Sequence, residues 1–350
     1  MKIATLQLLF CLVLVSLGLR AQSDVSAISV PLPLLKQHVF ALADDSLQGR
    51  ETGTPSQLTA ARYCVKSFRK SHLLAVFRVD SVRGSFYQPF YFTSTTLALF
   101  KPRPGQTPVM YKKGELLPAP VTAKDSAQVL QGHNVAGFIL GTDRKQEIVV
   151  ISAHYDHVGR IGGRVFPGAD DNASGTATVL SVASVFDSLA QQGIRSRRSI
   201  LFVLFSGEEN GLLGSTYFVN NSPIPITQLV GNLNTDMIGR IDNKHRKHPD
   251  YCYLITGSEN SRLRRLAEQA NKQSVRIELD YEHDTEDDPK QYFSRSDHYN
   301  LAKLGVPVLF FTDGEHPDYH QPSDKPEKIE FDLLAKRATL IFQTAWLMAN

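Results

Sequence analysis

The stretch EIVVISAHYDH, residues 147–157, decides the fold, because an uninterrupted apolar run leads directly into a group of polar side chains. A run of this kind, with no alternating polar residues, indicates a strand that is buried on both faces. Similar runs follow at 200–205, 229–233 and 306–311. Helical patterns lie between them, which is typical of a largely parallel sheet covered on both sides. The sequence therefore predicts an α/β fold, a three-layer sandwich around a mostly parallel central sheet.

Helical and irregular segments surround these strands. Residues 174–191 have the apolar periodicity of a helix, and two further helices are expected over 34–43 and 58–71. From 90 to 134, short apolar stretches are broken by prolines, which is typical of edge strands or of a meandering excursion. This excursion is too short to form a second full domain.

Length and composition limit the classes of function. A chain of 350 residues with 42% hydrophobic content can bury one large core or two modest ones without disulfides. The formal net charge of +3 is small and no long basic run occurs, so nucleic acid is not an expected partner. Beyond residue 21 the cysteines are Cys64 and Cys252. The sequence leaves a disulfide and two buried free thiols equally open.

The amino-terminal segment has the pattern of a secretory signal. Lys2 precedes an apolar run over residues 8–19, and a small-residue cleavage site follows at Ala21. The run is shorter than the roughly 20 residues that span a bilayer. We therefore expect cleavage after Ala21 and export to the periplasm or the extracellular space, without stable membrane insertion. A core helix or a membrane anchor is the alternative.

Polar side chains follow the ends of the predicted strands. One follows the first strand, predicted over 148–153, and an adjacent pair follows the second. One follows the third, one lies in the loop after the fourth, and one precedes a helix start. The carboxyl ends of parallel strands meet at one edge of a sheet, which is where ligands bind. Six side chains are thus predicted to form one site: His154, Asp171, Glu208, Glu209, Asp236 and His320.

The two imidazoles and the carboxylates among these residues form a ligand set suited to zinc. A catalytic zinc normally takes three protein ligands, so five ligands indicate two zinc ions that share one carboxylate, and we take Asp171 as the shared ligand. Adjacent side chains on a loop can point differently, so that Glu209 binds metal while Glu208 moves protons. Asp156 lies two residues after His154 and is expected to orient its imidazole.

Each motif alone has a plainer interpretation. His154 and Asp156 could be a surface pair, and adjacent glutamates usually lie on a solvated face. Asp170 and Asp171 could cap a helix. The occurrence of all five motifs in one chain favours a site.

The remaining histidines near these motifs are expected to be exposed or to make local hydrogen bonds. For His298 we expect a structural role, with Ser296 and Asp297 capping a short helix. The others of this kind are His157, His245, His248, His283 and His316.

This combination of motifs resembles the co-catalytic dizinc exopeptidases, which include bacterial leucyl aminopeptidases, glutamate carboxypeptidases and glutaminyl cyclases. The resemblance covers most of the chain after residue 21. It includes SLQGRETGTPSQLTAARY at 46–63, HNVAGFILG at 133–141 and the five site motifs in the order of the family.

The resemblance implies a ligand arrangement: His154 and Asp236 would bind one zinc, Glu209 and His320 the other, and Asp171, rather than Asp170, would bridge them. It also implies Glu208 as general base and then acid, a cis peptide bond between Asp171 and Asn172, and Tyr319 as a group that stabilises the oxyanion. Many secreted relatives carry an inserted protease-associated domain, but the excursion at 93–132 is too short for one. We therefore expect one catalytic domain over 22–350.

The expected function is an exported zinc aminopeptidase that acts on peptides. A glutaminyl cyclase with one zinc is the main alternative. A non-catalytic ectodomain is disfavoured because all ligands and the base are present. The residue preferred at the cleavage position, the native metal and the oligomeric state stay open. A carboxypeptidase is a further option if one of four arginines grips a terminal carboxylate: Arg160, Arg164, Arg240 or Arg295.

Overall fold

The computed structural model describes residues 25–78, 83–100, 106–118, 129–257 and 262–350, so the predicted signal at 1–21 lies outside the described residues. The strands are β1 (Leu74–Ala75), β2 (Phe77–Arg78), β3 (Gly84–Ser85), β4 (Tyr87–Phe100), β5 (Val109–Leu116), β6 (Leu130–Ile139), β7 (Arg144–His154), β8 (Arg160–Ile161), β9 (Arg164–Val165), β10 (Arg198–Phe205), β11 (Leu229–Thr235), β12 (Tyr251–Ile255), β13 (Glu278–Asp280) and β14 (Val308–Thr312). The helices are α1 (Leu32–Leu42), α2 (Pro55–Lys70), α3 (Gly175–Gln191), α4 (Leu213–Asn220), α5 (Arg262–Gln273), α6 (His298–Ala302) and α7 (Phe331–Ala349).

One large sheet organises the molecule, in the order β13-β12-β14-β11-β7-β10-β6-β4-β5, with β1 paired to β6. The four central strands, β14, β11, β7 and β10, run parallel to one another. They correspond to the four predicted strands, and the α/β fold class is confirmed. Both sides of the sheet are antiparallel to this centre, because β12 opposes β14 and β6 opposes β10. The sheet as a whole is therefore mixed.

Each face of the central strands has its own hydrophobic core. Successive residues of a strand point to opposite faces, so that Ile151 of β7 belongs to a core with Phe186 of α3. The neighbouring Val150 belongs to a second core with Phe218 of α4 and Leu301 of α6. Helices α1, α2, α3, α5 and α7 contribute to the first core, so the molecule has three layers. Full burial of a side chain such as Phe186 contributes about 1.5–3 kcal/mol.

The helix α2 begins earlier than predicted. Thr54 accepts a hydrogen bond from the backbone N–H of Gln57, and Pro55 occupies the first helical position. Both features favour a helix start because they leave fewer unpaired N–H groups. The prediction followed the apolar periodicity alone and placed the start at residue 58.

The excursion between β3 and β7 extends the main sheet. Strands β4 and β5 form an antiparallel pair at its edge, and β6 joins that pair to β10. Near its tip, the backbone N–H of Thr107 donates to the side chain of Gln321 over 2.7 Å. This contact brings the edge pair next to the loop that follows β14.

Two apolar features are internal to the protein. The helical run Ala169–Gln191 is long and apolar enough to cross a membrane, but 78% of its most apolar window is buried inside the molecule. Cys64 and Cys252 are buried and unbonded, so of the two alternatives the structure has free thiols. Burial raises the pKa of both thiols to about 12.

Candidate metal centre

The predicted site residues lie together at the carboxyl end of the parallel strands. β7 ends at His154, and Asp236 directly follows β11. Glu208 and Glu209 follow β10, and His320 lies in the loop after β14. This loop forces His320 into a left-handed conformation with φ of 52°, which is uncommon for a residue with a side chain and is concentrated at functional sites.

Asp171 lies between two groups of candidate ligands. Its Oδ1 lies 3.4 Å from Nε2 of His154, and that nitrogen lies 3.1 Å from Oδ1 of Asp236. Its Oδ2 lies 3.0 Å from Nε2 of His320, and that nitrogen lies 3.2 Å from Oε2 of Glu209. We call these the first group (His154, Asp171, Asp236) and the second group (Asp171, Glu209, His320). The two oxygens of Asp171 face different imidazoles.

The backbone around Asp171 is held by polar contacts. The peptide bond between Asp171 and Asn172 is cis, and Asn172 Nδ2 donates to the carbonyl of Thr235 over 2.9 Å. The buried carboxylate of Asp324 accepts the backbone N–H groups of Asp170 and Asp171 over 3.0 and 3.2 Å. These contacts connect the loop to β11 and to the segment after β14.

The side chain of Asp170 is directed away from the two groups. One of its oxygens accepts the backbone N–H of Gly239 over 2.6 Å, and the other lies 3.1 Å from Nε2 of His316. Its carboxylate is therefore committed elsewhere, and Asp171 alone of this pair belongs to both groups.

The spacing of the donor atoms fits zinc. Zinc lies about 2.0–2.1 Å from imidazole nitrogen or carboxylate oxygen, so two ligands on a tetrahedral ion are about 3.3 Å apart. The imidazole-to-carboxylate distances in the two groups lie between 3.0 and 3.4 Å. The residues present could hold one metal ion in each group.

The acidic surroundings control the protons of the imidazoles. Burial lowers the pKa of His154, but Asp236 and other carboxylates outweigh it and raise that pKa well above the ordinary value. The same balance, dominated by Glu209, raises the pKa of His320. Because a metal binds the neutral imidazole, loading of the site must displace these protons.

Glu208 faces the same space without belonging to either group. Gly207 precedes it with φ of 77°, a conformation that glycine adopts without strain. The backbone therefore changes direction between the end of β10 and the two glutamates. Burial raises the pKa of Glu208 well above its ordinary value, and nearby carboxylates add to this effect while His154 opposes it. Glu208 is a carboxyl group that is able to take up and release a proton.

Asp156 lies behind His154. Its backbone carbonyl lies 3.2 Å from Nδ1 of His154, whereas its carboxylate lies 3.7 Å away. The carboxylate accepts from Thr52 Oγ1 over 2.9 Å. The imidazole is therefore oriented first by the carbonyl oxygen of Asp156, a contact that the sequence did not predict.

A pocket opens beside both groups and places Tyr319 at its wall. The Tyr319 ring stacks on His320 with centroids 4.0 Å apart, and its hydroxyl accepts from Arg295 over 3.1 Å. Burial raises the pKa of this hydroxyl, so it stays protonated and able to donate. Besides Tyr319 and Arg295, the lining includes Met237, Tyr292, Phe310 and Thr312. The other three candidate arginines bond elsewhere, Arg160 to Gln48, Arg164 to Thr107 and Arg240 to Asp318.

The expectation of an exposed or locally bonded His157 is wrong. Its side chain is buried, and Nδ1 lies 2.7 Å from Oε1 of Glu209, in the second group. An extended chain would direct residues 154 and 157 to opposite faces, but the strand ends at 154 and the irregular segment that follows places both imidazoles at the site. The spacing of the two histidines therefore carried no usable signal.

The other histidines follow the expectations in part: His248 is exposed, and His245 and His283 each bond a nearby carboxylate, Asp242 and Asp288. His298 is buried and stacks on Phe310, with ring centroids 4.5 Å apart. Asp297 makes no capping hydrogen bond to the helix that begins there, so that expectation is wrong. His245 and His316 are buried against carboxylates.

Arg50 joins the amino-terminal loop to the centre. It is fully buried and donates to four backbone carbonyls, those of Leu42, Tyr155, Pro167 and Gly168. Two residues later, Thr52 contacts Asp156 and accepts the backbone N–H of Gly207 over 2.8 Å. Neither role was predicted, because a buried arginine is rare unless its donors are matched by acceptors brought together by the fold.

Comparison with known proteins gives the family. The model of peptidase family M28 matches residues 134–345. A probable leucine aminopeptidase from Arthroderma otae is 29% identical over 215 residues, which are 59% of this chain and 55% of that protein. The chain thus spans about half the length of the curated relatives it matches.

Solved structures with the same fold include two kinds of enzyme. An aminopeptidase from Aneurinibacillus sp. strain AM-1 superposes with a TM-score of 0.65 at 17% identity, covering 92% of this chain and 94% of that one. The glutaminyl cyclase of Fimbriiglobus ruber superposes with a TM-score of 0.60 at 15% identity, covering 92% and 96%. The fold alone does not choose between these activities.

Proposed function

The chain belongs to peptidase family M28, and we propose that it is an exported zinc aminopeptidase that hydrolyses the amino-terminal peptide bond of peptides. One observation carries this proposal. Asp171 directs its two oxygens to two different imidazole-carboxylate pairs, while Glu208 stays outside both pairs and faces the same space. Two ligand groups that share a carboxylate, with a free carboxyl group beside them, are the parts that metal-assisted hydrolysis needs.

Two bound zinc ions would polarise the scissile carbonyl and lower the pKa of water toward ~7. First, Glu208 takes the proton of the attacking water. It then delivers that proton to the departing amine. Tyr319 donates a hydrogen bond to the carbonyl oxygen as that atom gains negative charge. Asp156 keeps His154 in the orientation that binding requires.

The pocket lined by Met237, Tyr292 and Phe310 is the proposed place for the side chain of the amino-terminal residue. We further propose residues 22–350 as one catalytic domain without an inserted domain. The signal pattern at 1–21 supports export.

Glutaminyl cyclase is the second candidate, because a solved cyclase shares this fold. The two candidates differ in metal content and product. The test measures zinc per chain by mass spectrometry and offers three kinds of peptide: those with a free amino terminus, the same peptides acetylated, and peptides that begin with Gln.

The proposal expects two zinc ions per chain, hydrolysis of the free peptides, and no hydrolysis of the acetylated ones. One firmly bound zinc with cyclisation of Gln-peptides would instead establish the cyclase. Release of the carboxyl-terminal residue from acetylated peptides would favour a carboxypeptidase, in which Arg295 at the wall of the pocket could hold the carboxylate.

A further inference from the structure

His157 is held firmly beside the second group. The side chain is 1% exposed, and its ring packs against that of His320 with centroids 5.5 Å apart and planes at 68°. The backbone of Gly168 approaches so closely that an added Cβ would lie 2.5 Å from Cγ of His157. The imidazole has little freedom to turn or withdraw.

The two oxygens of Glu209 have different partners. Oε1 lies 2.7 Å from Nδ1 of His157, and Oε2 lies 3.2 Å from Nε2 of His320. His157 therefore contacts the oxygen that is not directed at the other imidazole of the second group.

The distances distinguish a hydrogen-bond donor from a metal ligand. Two ligands of one zinc are about 3.3 Å apart, but Nδ1 of His157 lies 2.7 Å from Glu209 and 3.8 Å from Oδ2 of Asp171. A separation of 2.7 Å is typical of a hydrogen bond to a charged carboxylate. A ring nitrogen of His157 lies within 4.8 Å of the ligand atoms of the second group, but neither of the two Nδ1 distances matches that between two ligands of one zinc.

We propose that His157 is a positioning residue, which donates Nδ1–H to Oε1 of Glu209 and leaves Oε2 as the only metal-binding oxygen of that side chain. This inference rests on the proposed zinc-dependent function. With Glu209 limited to one oxygen, the second group offers three ligand atoms, from Asp171, Glu209 and His320. Three protein ligands leave a coordination position open for substrate, as a catalytic site requires. A carboxylate free to use both oxygens could close that position.

The experiment compares His157→Leu, which removes the donor, with His157→Asn, whose amide nitrogen occupies nearly the position of Nδ1 and can donate. Zinc is titrated into the metal-free proteins by calorimetry, and circular dichroism checks their folding. We expect His157→Leu to weaken the binding of one of the two zinc ions by about 10–100-fold. His157→Asn should stay within about threefold of the unsubstituted protein. The control His245→Leu removes another buried histidine and should change neither affinity.

Two outcomes would overturn the proposal. Unchanged zinc affinities in a folded His157→Leu would show that the contact does not position Glu209. A loss in His157→Asn equal to that in His157→Leu, with X-ray absorption giving three imidazoles per two zinc ions, would make His157 a ligand. Zinc binding is measured without substrate. If the unsubstituted protein binds zinc but hydrolyses no peptide, the proposed function fails and the role of His157 is still tested.

Discussion

Among the described residues, buried histidine and carboxylate meet both in the metal centre and in a second cluster around His245, which we call the His245 cluster. In that cluster, His245 lies 2.8 Å from Asp242 through Nδ1 and 3.0 Å from Asp280 through Nε2. Its ring stacks on Tyr251 with centroids 3.5 Å apart. The hydroxyl of Tyr253 donates to the other oxygen of Asp242. The exposed carboxylate of Glu278 lies within 4.8 Å of His245 and Asp280.

The two clusters use the same residue types for different purposes. In the His245 cluster each ring nitrogen has its own carboxylate, and an aromatic ring covers one face of the imidazole. In the metal centre single nitrogens face two carboxylates at once, and the group opens onto a pocket. The residue types are the same in both clusters, so they do not identify a cation site. A ring nitrogen that faces two carboxylates indicates a cation site, whereas a nitrogen paired with one carboxylate belongs to a complete hydrogen-bond network.

The strongest test of this difference is Asp171→Asn. The amide preserves size but removes the charge shared by both groups, so we expect both zinc ions to bind weakly and peptide hydrolysis to fall below detection. Zinc per chain and turnover measure the two effects. Retention of two tightly bound zinc ions would contradict the assignment of Asp171 as the shared ligand.

Glu208→Gln should separate chemistry from metal binding. The amide cannot take up the proton, so kcat should fall by about 10²–10⁴-fold. Because Glu208 belongs to neither group, the zinc content should stay at the unsubstituted level. Near-normal turnover in this variant would mean that another group is the base.

His38 extends the comparison to a buried histidine without a carboxylate. Burial, with a smaller effect of Lys70, lowers its pKa to about 4. Between pH 6.5 and about 4 the unfolded chain binds a proton that the folded protein excludes, so stability falls as pH decreases. Below about pH 4 the loss in the free energy of unfolding amounts to about 3 kcal/mol.

Urea unfolding of the unsubstituted protein and of His38→Gln at pH 7.5 and 4.5 measures this effect, since the other titrations are common to both. The unsubstituted protein should lose more of its free energy of unfolding than the variant. Equal losses would show that His38 does not titrate as its burial requires.

Asp156→Asn should have a smaller effect on the centre. The backbone carbonyl that lies nearest to His154 remains, so we expect zinc affinity and kcat to fall only about tenfold. Parallel calorimetry and kinetics would measure both. A loss as large as that of Asp171→Asn would mean that the carboxylate itself holds the imidazole.

His245→Gln should have the smallest effect on function. Zinc content and kcat should stay within about twofold, because the His245 cluster does not take part in the reaction. The free energy of unfolding should fall by about 1–3 kcal/mol, since buried carboxylates lose their partners. A drop in zinc per chain would remove the distinction between the two clusters.

The parallel centre of the fold could be predicted because its strands are buried on both faces and therefore read as continuous apolar runs. The antiparallel sides could not, since the direction in which β6 and β12 enter the sheet depends on the path of the connecting loops. The six site residues were predicted to lie together because carboxyl ends of parallel strands converge. Their roles stay predictions.

The contacts around the site were not predictable in the same way. His157 reaches Glu209 from the irregular segment that follows β7, where the backbone of Gly168 packs against its ring. Arg295 was one of four equivalent arginines in the sequence, and only packing places it at the pocket. Hydrophobic periodicity predicts local structure, and it does not predict contacts between segments that are distant in the sequence.

Arg50 bears on how small a working form of this protein can be. The segment that matches the family begins at residue 134 and carries every candidate ligand. A chain shortened to that segment would leave the carbonyls of Tyr155, Pro167 and Gly168 without the donors that Arg50 supplies. It would also remove Thr52 from the carboxylate of Asp156. The candidate ligands and the residues that support their loops therefore lie in separate segments of the chain. A shortened protein needs both segments to keep the site in shape.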